Sequence, residues 1–221
     1  RGESVQDFEI LLPCKDGADK NVLLDSNVFW DNGRFIHTRC FTRDITEQKR
    51  ADERLAKIND CFLRFGANAE ENISRLVDMC AILLAADWSA YHRMKGHRLE
   101  CHSHWHLPSE LASRDETEGL LPYDIAHNSD SAVLVIQDHQ HTHYAKTDPS
   151  VAAFALETYV GRPIKCSDKP MGALSIAYRK QVRLTPADVK VVGLIAAAIG
   201  IEEDRKRAEE SGRMGERVAA P

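Results

Sequence analysis

One long amphipathic helix, predicted from Asp44 to Phe65, constrains the organisation of this chain more than any other stretch. Thr46 is its predicted N-cap, because a hydroxyl there can accept a hydrogen bond from a free backbone N–H of the first turn. One face of the helix is formed at steps of three and four by Gln48, Ala51, Leu55, Ile58, Phe62 and Phe65. A helix of about 20 residues spans roughly 30 Å, more than a connection inside one domain needs. The sequence therefore predicts a structured part on each side of this helix.

The composition is that of a folded protein of one or two domains. The chain has 221 residues, 43% of them hydrophobic, and a net charge of −5, which argues against a nucleic-acid partner. No apolar run has the length of a membrane span, and the first residues do not form a signal peptide. Six cysteines lie far apart without a C-x-x-C pair: Cys14, Cys40, Cys61, Cys80, Cys101 and Cys166. We therefore expect reduced thiols in a cytoplasmic protein that makes no direct membrane contact.

The first 45 residues predict three antiparallel strands, at Asp7–Pro13, Asn21–Trp30 and Arg34–Arg43. The segments Lys15-Asp16-Gly17 and Asp31-Asn32-Gly33 separate them, and Asp-Gly or Asn-Gly pairs supply the positive φ that tight hairpins require. Three strands make at best a marginal unit by themselves. We expect this part to be the end of a domain whose first half precedes Arg1.

These strands, followed by Asp44-Ile45-Thr46 and a charged helix, resemble the C-terminal half of a PAS domain over residues 3–55. The resemblance implies that Asp44 forms a salt bridge back to its domain, with a basic partner that the sequence does not identify. An unrelated β-meander is the alternative.

Beyond Gly66 the pattern alternates between helices and strands. The prediction gives a helix over 70–86, strands over 88–94 and 99–106, a helix or turn over 119–127, a buried strand over 132–137, a loop over 142–150, a helix over 151–156, and strands over 158–166 and 171–179. A last helix begins at Thr185 as N-cap, with Pro186 in its first position, and fades at Gly212 and Gly215. The physical reading is one antiparallel sheet with helices on its faces.

The order of these elements resembles a GAF domain over residues 56–208. The residues that carry the resemblance are the strands Thr158–Ile164 and Met171–Ile176 and the helix start Leu184–Asp188. Gly161 is expected to permit close backbone approach, and Pro163 to mark a strand edge or a bulge. The fold class is therefore α+β, with a GAF-like antiparallel sheet flanked by helices, preceded by a partial PAS sheet and a long linker helix.

The two resemblances together imply a division of the chain into a PAS part (1–45), a linker helix (46–66), a GAF domain (67–208) and a charged tail (209–221). Such a chain is similar to the sensory region of bacterial sensor histidine kinases, with cyclic-di-nucleotide synthases as the next possibility. The resemblance implies an unidentified small-molecule ligand, no assigned cofactor, a downstream output domain and a homodimer formed by the flanking helices. Its candidate ligand residues are Tyr91, Trp105, Tyr123, Asp124, Tyr144, Phe154 and Tyr159; its candidate dimer residues are Leu55, Ile58, Phe62, Val189, Val192, Ala196 and Ile199.

Two histidine clusters suggest an alternative, a metal- or haem-binding redox sensor or small enzyme. On the predicted strand, His102, His104 and His106 would share one face, about 7 Å apart in neighbouring pairs. That spacing is too wide for one Zn²⁺, so a site would need a second element, and the candidates are Cys101, His139, His141 and His143. The same pattern fits a polar edge strand and a polar loop. No phosphate loop, G-x-S-x-G or H-E-x-x-H motif is present, so we expect no enzymatic activity from this stretch.

Cys101-His102 is also similar to the Cys-His pair that attaches bilin in some phytochrome-like GAF domains. In those domains the pair lies near a helix, whereas here it lies on a predicted strand. We therefore do not expect bilin attachment. The Asn-Lys-Phe-Asp-Glu set of cyclic-nucleotide-binding GAF domains is not found either.

Overall fold

A computed structural model of the protein describes residues 4–15, 17–128, 130, 132–138, 141–166 and 169–219, with side chains up to residue 212. The chain divides into two compact units, Arg1–Asp60 and Cys61–Pro221. Both are built on antiparallel sheets, and helices complete the fold, which confirms the α+β class.

The first unit contains a sheet in the order β1 (Val5–Pro13), β2 (Asp19–Asp31) and β3 (Arg34–Asp44), and helix α1 (Thr46–Leu63) follows it. All three predicted strands are confirmed. The β2–β3 turn places Asn32 at φ 47° and Gly33 at φ 78°, so both central residues have the positive φ that an Asn-Gly pair favours. The other predicted turn is Lys15-Asp16-Gly17. Its Gly17 also has a positive φ, whereas Asp16 lies outside the described residues.

Thr46 is the first residue of α1, and its predicted role as N-cap is wrong. Its hydroxyl accepts a hydrogen bond from the Asn21 N–H at 2.9 Å instead of capping its own helix. The Asp44 carboxylate accepts from the Thr46 N–H at 3.0 Å, so the cap comes from two residues earlier. Asp44 also forms an ion pair with Lys20 at 2.8 Å. The hydrogen bond from Lys20, followed by those from Thr46, holds the pKa of Asp44 well below its usual range.

Few apolar side chains of the first unit are buried. Val22, Ile45 and Ile58 are, whereas large apolar side chains on all three strands are more than 40% exposed, among them Phe8, Leu11, Phe29, Trp30, Phe35 and Phe41. A three-stranded sheet with so small a core has little hydrophobic stabilisation of its own.

The second unit contains a five-stranded antiparallel sheet in the order β5-β4-β8-β7-β6. Its strands are β4 (Trp88–Lys95), β5 (Arg98–Trp105), β6 (Leu134–Gln137), β7 (Thr158–Cys166) and β8 (Lys169–Tyr178). The strand predicted over 132–137 exists as β6, but the prediction that it is buried is wrong. It lies at the edge of the sheet, and Val135 is 37% exposed. Pro163 pairs with Ala173 of β8 but lies beyond Gly161, the last β7 residue paired with β6, so β7 has a free edge there among the described strands, as predicted.

Two long helices, α2 (Ala69–Leu84) and α7 (Pro186–Ala219), cover one face of this sheet and pack against each other. Four short helices lie on the other face: α3 (Ser109–Ala112), α4 (Leu121–Ala126), α5 (Tyr144–Thr147) and α6 (Pro149–Ala153). Alternation along β4 separates the two faces, since the Ser89 hydroxyl donates to Val77 of α2 while Trp88 and Ala90 join the core under the short helices. A Cβ on Gly161 would meet the Ile125 side chain, so the close approach there comes from α4 rather than from backbone.

Helix α7 begins as predicted. The Thr185 hydroxyl accepts from the Asp188 N–H at 3.2 Å, and the Asp188 carboxylate accepts from the Thr185 N–H at 2.8 Å, a reciprocal capping box. The predicted end at Gly212 and Gly215 is wrong, because the helix continues to Ala219. Among the described residues, no helix combines the length and the apolar character that a membrane crossing requires.

Candidate functional site

The short-helix face of the five-stranded sheet encloses a small polar cavity, which we call the inner pocket. Its lining combines β4 and β7 of the sheet with the segments that hold α3, α4 and α6: Trp88, His92, Leu107, Leu111, Arg114, Glu116, Pro122, Asp148, Ser150 and Tyr159. The empty volume is about 240 Å³, of which about 10 Å³ is wide enough for the centre of a water molecule. The widest part of the pocket thus has room for about one water.

A buried ion cluster forms one wall of the inner pocket. Arg114 donates from Nε and Nη2 to the two carboxylate oxygens of Glu116, at 2.9–3.1 Å, and from Nη2 to Asp148 at 3.4 Å. The carboxylate side chains are only 2% and 1% exposed. Two buried carboxylates therefore share one guanidinium, on a side chain that is itself 26% exposed.

Local backbone structure positions both carboxylates. Asp148 is the N-cap of α6, where its side chain accepts from the Ser150 N–H at 3.0 Å and Pro149 occupies the first turn. The same side chain accepts from the Ser150 hydroxyl at 2.6 Å and from the Leu121 N–H at 3.1 Å. Glu116 is held by a two-way backbone bridge with Leu99 of β5, at 2.8 and 2.9 Å. Asp148 is thus well supplied with donors, whereas within the described residues the hydrogen bonds to the Glu116 carboxylate come from Arg114 alone.

Burial changes the protonation of two groups in the inner pocket. It raises the pKa of Glu116 to about 7, against the opposing effect of Arg114. It also lowers the pKa of His92 to about 4, with a further contribution from the positive charge of Arg114. At neutral pH His92 is therefore an uncharged imidazole, and Glu116 titrates.

Two residues that line the inner pocket each have a buried polar atom with no hydrogen-bond partner in the described part of the chain. These atoms are Nε1 of Trp88 and Nδ1 of His92, on side chains whose residues are 4% and 2% exposed. An unpaired buried polar group costs about 1–3 kcal/mol, so such groups are normally satisfied by protein, water or ligand. The Trp88 and Tyr159 rings meet edge to face with centroids 6.0 Å apart, and the Tyr159 hydroxyl donates to Ser175 at 2.6 Å.

The structure brings together some of the ligand residues expected from the sequence. Tyr159 lines the inner pocket, Tyr144 is buried in the surrounding apolar core, and Tyr123 and Phe154 pack against that core. Asp124 lies on α4, where its carboxylate accepts from the Gly119 N–H at 3.1 Å.

Tyr91 and Trp105 do not join this group. Tyr91 lies on the opposite face of the sheet, where its ring contacts His102. The Trp105 ring stacks on His106 at the end of β5.

Sequence reasoning missed the polar half of the inner pocket. Arg114 and Glu116 fall between the predicted strand over 99–106 and the predicted helix or turn over 119–127, and His92 falls inside the predicted strand over 88–94. One signal was available, since Asp148-Pro149-Ser150 has the N-cap and N1 residues of a helix start and so fixes where the Asp148 side chain must point.

A second polar cluster, the α2–α7 network, joins the sheet to α7 on the opposite face. Arg93 of β4 donates to Glu203 at 2.8 Å and with two nitrogens to Glu70 at 3.3 Å. Glu70 is also in contact with His102 and Lys206. Although burial alone would raise it, hydrogen bonds from Lys206 and Arg93 hold the pKa of Glu70 at about 2.

A buried amide extends the α2–α7 network. Asn72 of α2 is fully buried, and its side chain pairs with both the N–H and the carbonyl of Gly66 at 3.0 Å. The same amide donates to Glu202 of α7 at 3.0 Å. The chain just before α2 is therefore fixed to the middle of α7 by one side chain.

The predicted common face of His102, His104 and His106 is wrong. Tyr91 pairs with Ser103 and His92 with Cys101, so β5 carries one extra residue, His102. This bulge leaves His102 beside Tyr91 on the helix-covered face, while the register pairs His104 with Ala90 of the other face. His106 follows the strand with a φ of +51°.

The described residues contain no group of three or more His, Cys, Asp or Glu side chains arranged to hold a metal ion. In the second cluster His141 pairs with Asp138 at 2.6 Å and the His143 ring contacts Tyr144. His139 lies outside the described residues. Burial raises the pKa of Cys101 to about 11, which disfavours the reactive thiolate.

Comparison with known proteins identifies the class of fold. The sequence profile of the GAF domain matches residues 68–202. The chain belongs to the GAF domain family, a class of small-molecule sensing and regulatory modules. A search of curated protein sequences returned no match.

Solved structures share the fold at low sequence identity. The GAF domain of a phosphoenolpyruvate-protein phosphotransferase from Coxiella burnetii is 14% identical, with a TM-score of 0.62 over 74% of this chain and 98% of that one. The chromophore-binding domain of the bacteriophytochrome RpBphP3 from R. palustris is 10% identical, with a TM-score of 0.61 over 92% and 76%. The phycoerythrobilin-bound GAF domain of a cyanobacterial phytochrome is 12% identical, with a TM-score of 0.52 over 74% and 97%.

Proposed function

We propose that this chain is the sensory region of a bacterial signal-transduction protein, in which the inner pocket receives a small molecule and α7 passes the change to an output domain. The observation that carries the proposal is a pair of buried polar atoms without a partner among the described residues, Trp88 Nε1 and His92 Nδ1, on two residues that line a small pocket of a GAF domain. The region itself is non-enzymatic and cytoplasmic, and the parent is a sensor histidine kinase.

The proposed domain order is a PAS end (1–45), a linker helix (46–66), a GAF domain (67–208) and a charged tail (209–221). Support for the PAS part comes from the three-stranded sheet and from the Asp44–Lys20 ion pair, since a salt bridge from this aspartate was expected from the resemblance. The alignment with the RpBphP3 fragment also extends over 92% of the chain, beyond the GAF region. The exposed apolar residues of the sheet fit a domain that is completed by further chain.

The α2–α7 network offers the route from the sheet to the output helix. β4 carries His92 and Trp88 on the pocket face and Arg93 on the helix face, where Arg93 pairs with Glu203 of α7. A ligand that displaces β4 therefore changes the ion pairs that hold α7 at residues 202–206.

We place the dimer seam on a different face of α7 from the one expected. Val192, Ala196 and Ile199 are at most 4% exposed, because α7 packs them against its own fold, and Val189 is half-buried. The outward face carries Leu194, Ala197 and Ile201 at heptad spacing, with Leu194 46% and Ile201 66% exposed. On α1, Leu55 and Phe62 are exposed, whereas Ile58 is buried.

Replacing Ile201 with aspartate should convert a dimer to a monomer, since it puts a charge into the centre of this seam. Sedimentation velocity over a concentration series measures the change. Arg207→Asp is the matched control, because it introduces the same residue at another exposed position of α7 and should leave the dimer intact. A wild-type protein that stays monomeric at the highest concentration contradicts the dimer.

A ligand screen tests the sensory role. We expect some member of a panel of small amines, carboxylates, amides, sugars and nucleobases to raise the Tm of the chain by about 3 °C at ten times its Kd. Trp88→Phe should abolish the shift because it removes the unpaired indole N–H, whereas Trp30→Phe, at an exposed position of the first unit, should not. A panel with no Trp88-dependent hit argues against a ligand-sensing pocket.

A further inference from the structure

We infer that the inner pocket recognises a small primary ammonium ion that also carries a hydroxyl or carbonyl oxygen. This inference rests on the proposed function of the inner pocket as a ligand site, and it specifies the ligand's charge and its polar groups. It follows from three features of the wall: an excess of negative charge, an incompletely satisfied carboxylate and a free indole N–H.

The charge of the wall comes from three groups. When Glu116 is ionised, two carboxylates face the one guanidinium of Arg114 beside a neutral His92, so the cluster has one negative charge in excess. Such an excess is unfavourable in a buried site unless it is neutralised. A proton on Glu116 does so in the empty pocket, and a bound cation does so when the ligand is present.

Hydrogen-bonding capacity indicates which carboxylate receives the cation. Asp148 accepts from two backbone N–H groups, the Ser150 hydroxyl and Arg114. The described donors to the Glu116 carboxylate all belong to Arg114, which leaves lone pairs available. An ammonium N–H bonded to Glu116 is a charge-assisted hydrogen bond, and His92 Nδ1 can accept a second one as a neutral imidazole.

The remaining unpaired group requires an acceptor. The indole Nε1–H of Trp88 only donates, so an ammonium group cannot satisfy it. A hydroxyl or carbonyl oxygen on the same small ligand can accept from it. The Trp88 and Tyr159 rings provide aromatic surface of the kind that attracts cations.

Four probes of equal size separate these requirements, because each contains four non-hydrogen atoms. Each probe is larger than the single water for which the pocket has room, so binding requires the pocket to widen. Ethanolammonium has the charge and the oxygen, propylammonium only the charge, ethylene glycol only the oxygens, and acetate the opposite charge. The readout is the ¹⁵N–¹H resonance of the Trp88 indole in the full chain, assigned with Trp30→Phe and Trp105→Phe variants. Its shift reports both the affinity and the place of binding.

Ethanolammonium should bind about tenfold more tightly than ethylene glycol, the effect of one hydrogen bond to a charged group. It should also bind more tightly than propylammonium, and acetate should not bind. Equal or tighter binding of acetate or ethylene glycol overturns the inference while leaving a ligand pocket in place. Failure of all four probes overturns it too, whereas the sensory role is then judged by the broader screen.

The pH dependence gives a second, independent readout. The charged or titratable groups around Glu116 are Arg114, Asp115, Asp148, Cys101 and Tyr159. Since burial raises the pKa of Glu116 to about 7, the ionised form rises from a small fraction at pH 6 to most of the protein at pH 8. Both ammonium probes stay protonated in this range, so the apparent affinity for ethanolammonium should rise about tenfold.

Glu116→Gln removes the charge while keeping the shape, and should abolish both the pH dependence and the preference for ethanolammonium over ethylene glycol. Glu118→Gln is the matched control at an exposed position two residues away, and should behave as wild type. A wild-type affinity that does not change between pH 6 and pH 8 contradicts the role of Glu116, and so does an equal effect of the two variants.

Discussion

Replacing Arg114 with methionine should lower the free energy of unfolding by about 3–5 kcal/mol at pH 8, the usual effect of removing one partner from a buried ion pair. Methionine keeps much of the volume of the side chain but none of its donors. Glu116 and Asp148 then face each other in a site where their side chains are 2% and 1% exposed. Urea unfolding followed by circular dichroism measures the loss.

The loss should be smaller at pH 5 than at pH 8. In wild type the folded-state pKa of Glu116, about 7, lies above the ordinary value of 4.5, so the folded state binds more protons between these values and stability falls as pH rises through them. Without Arg114 the pKa of Glu116 is higher still. The decrease in stability therefore continues to higher pH in the variant than in wild type. At pH 5 Glu116 is protonated in both proteins, so the loss of the Arg114 guanidinium then affects Asp148 alone.

Arg98→Met is the control, because Arg98 pairs with Glu100 and Asp115 in water, with half of its own side chain exposed. Exposed pairs contribute up to about 1 kcal/mol, and this change should stay within that range at both pH values. A loss for Arg114→Met no larger than that for Arg98→Met contradicts the buried cluster.

The sequence predicts the regular elements of this fold because their signals are local. The Thr185–Asp188 capping box, the Asn32-Gly33 turn and the apolar strands β7 and β8 each depend on a few neighbouring residues. The Thr46 error has the opposite origin, since its hydroxyl bonds Asn21, 25 residues away. A prediction from neighbouring residues does not include Asn21, because Asn21 comes close to the Thr46 hydroxyl only in the folded sheet.

The candidate site could be predicted only in part, for the same reason. Aromatic residues such as Tyr159 were identified because the family resemblance fixed the strand that carries them. The Arg114–Glu116–Asp148 cluster joins residues up to 34 positions apart and depends on where a loop returns to Leu99. The histidine error has a similar cause, since a single bulge at His102 reverses the alternation that period two predicts.

Gly172→Ala should destabilise the GAF fold by about 3 kcal/mol, although it adds a single methyl group. Gly172 lies in the middle of the sheet, where β8 pairs with both β4 and β7. A Cβ built on it would lie 2.0 Å from the carbonyl oxygen of His92 and 2.8 Å from the Tyr91 ring. The nearer obstacle is backbone of a central strand, so relief requires the two strands to separate and their hydrogen bonds to lengthen.

Gly212→Ala is the matched control, since the substitution is the same and the surroundings are open. A Cβ at Gly212 would meet nothing within 4 Å, and the residue lies in the exposed end of α7. Alanine should favour the helix there by about 0.5–1 kcal/mol, so the two variants should change stability in opposite directions. Urea unfolding gives both values. If Gly172→Ala lowers the free energy of unfolding by less than about 1 kcal/mol, β4 and β8 separate easily at His92. The β4 wall of the inner pocket is then less rigid than its strand pairing indicates.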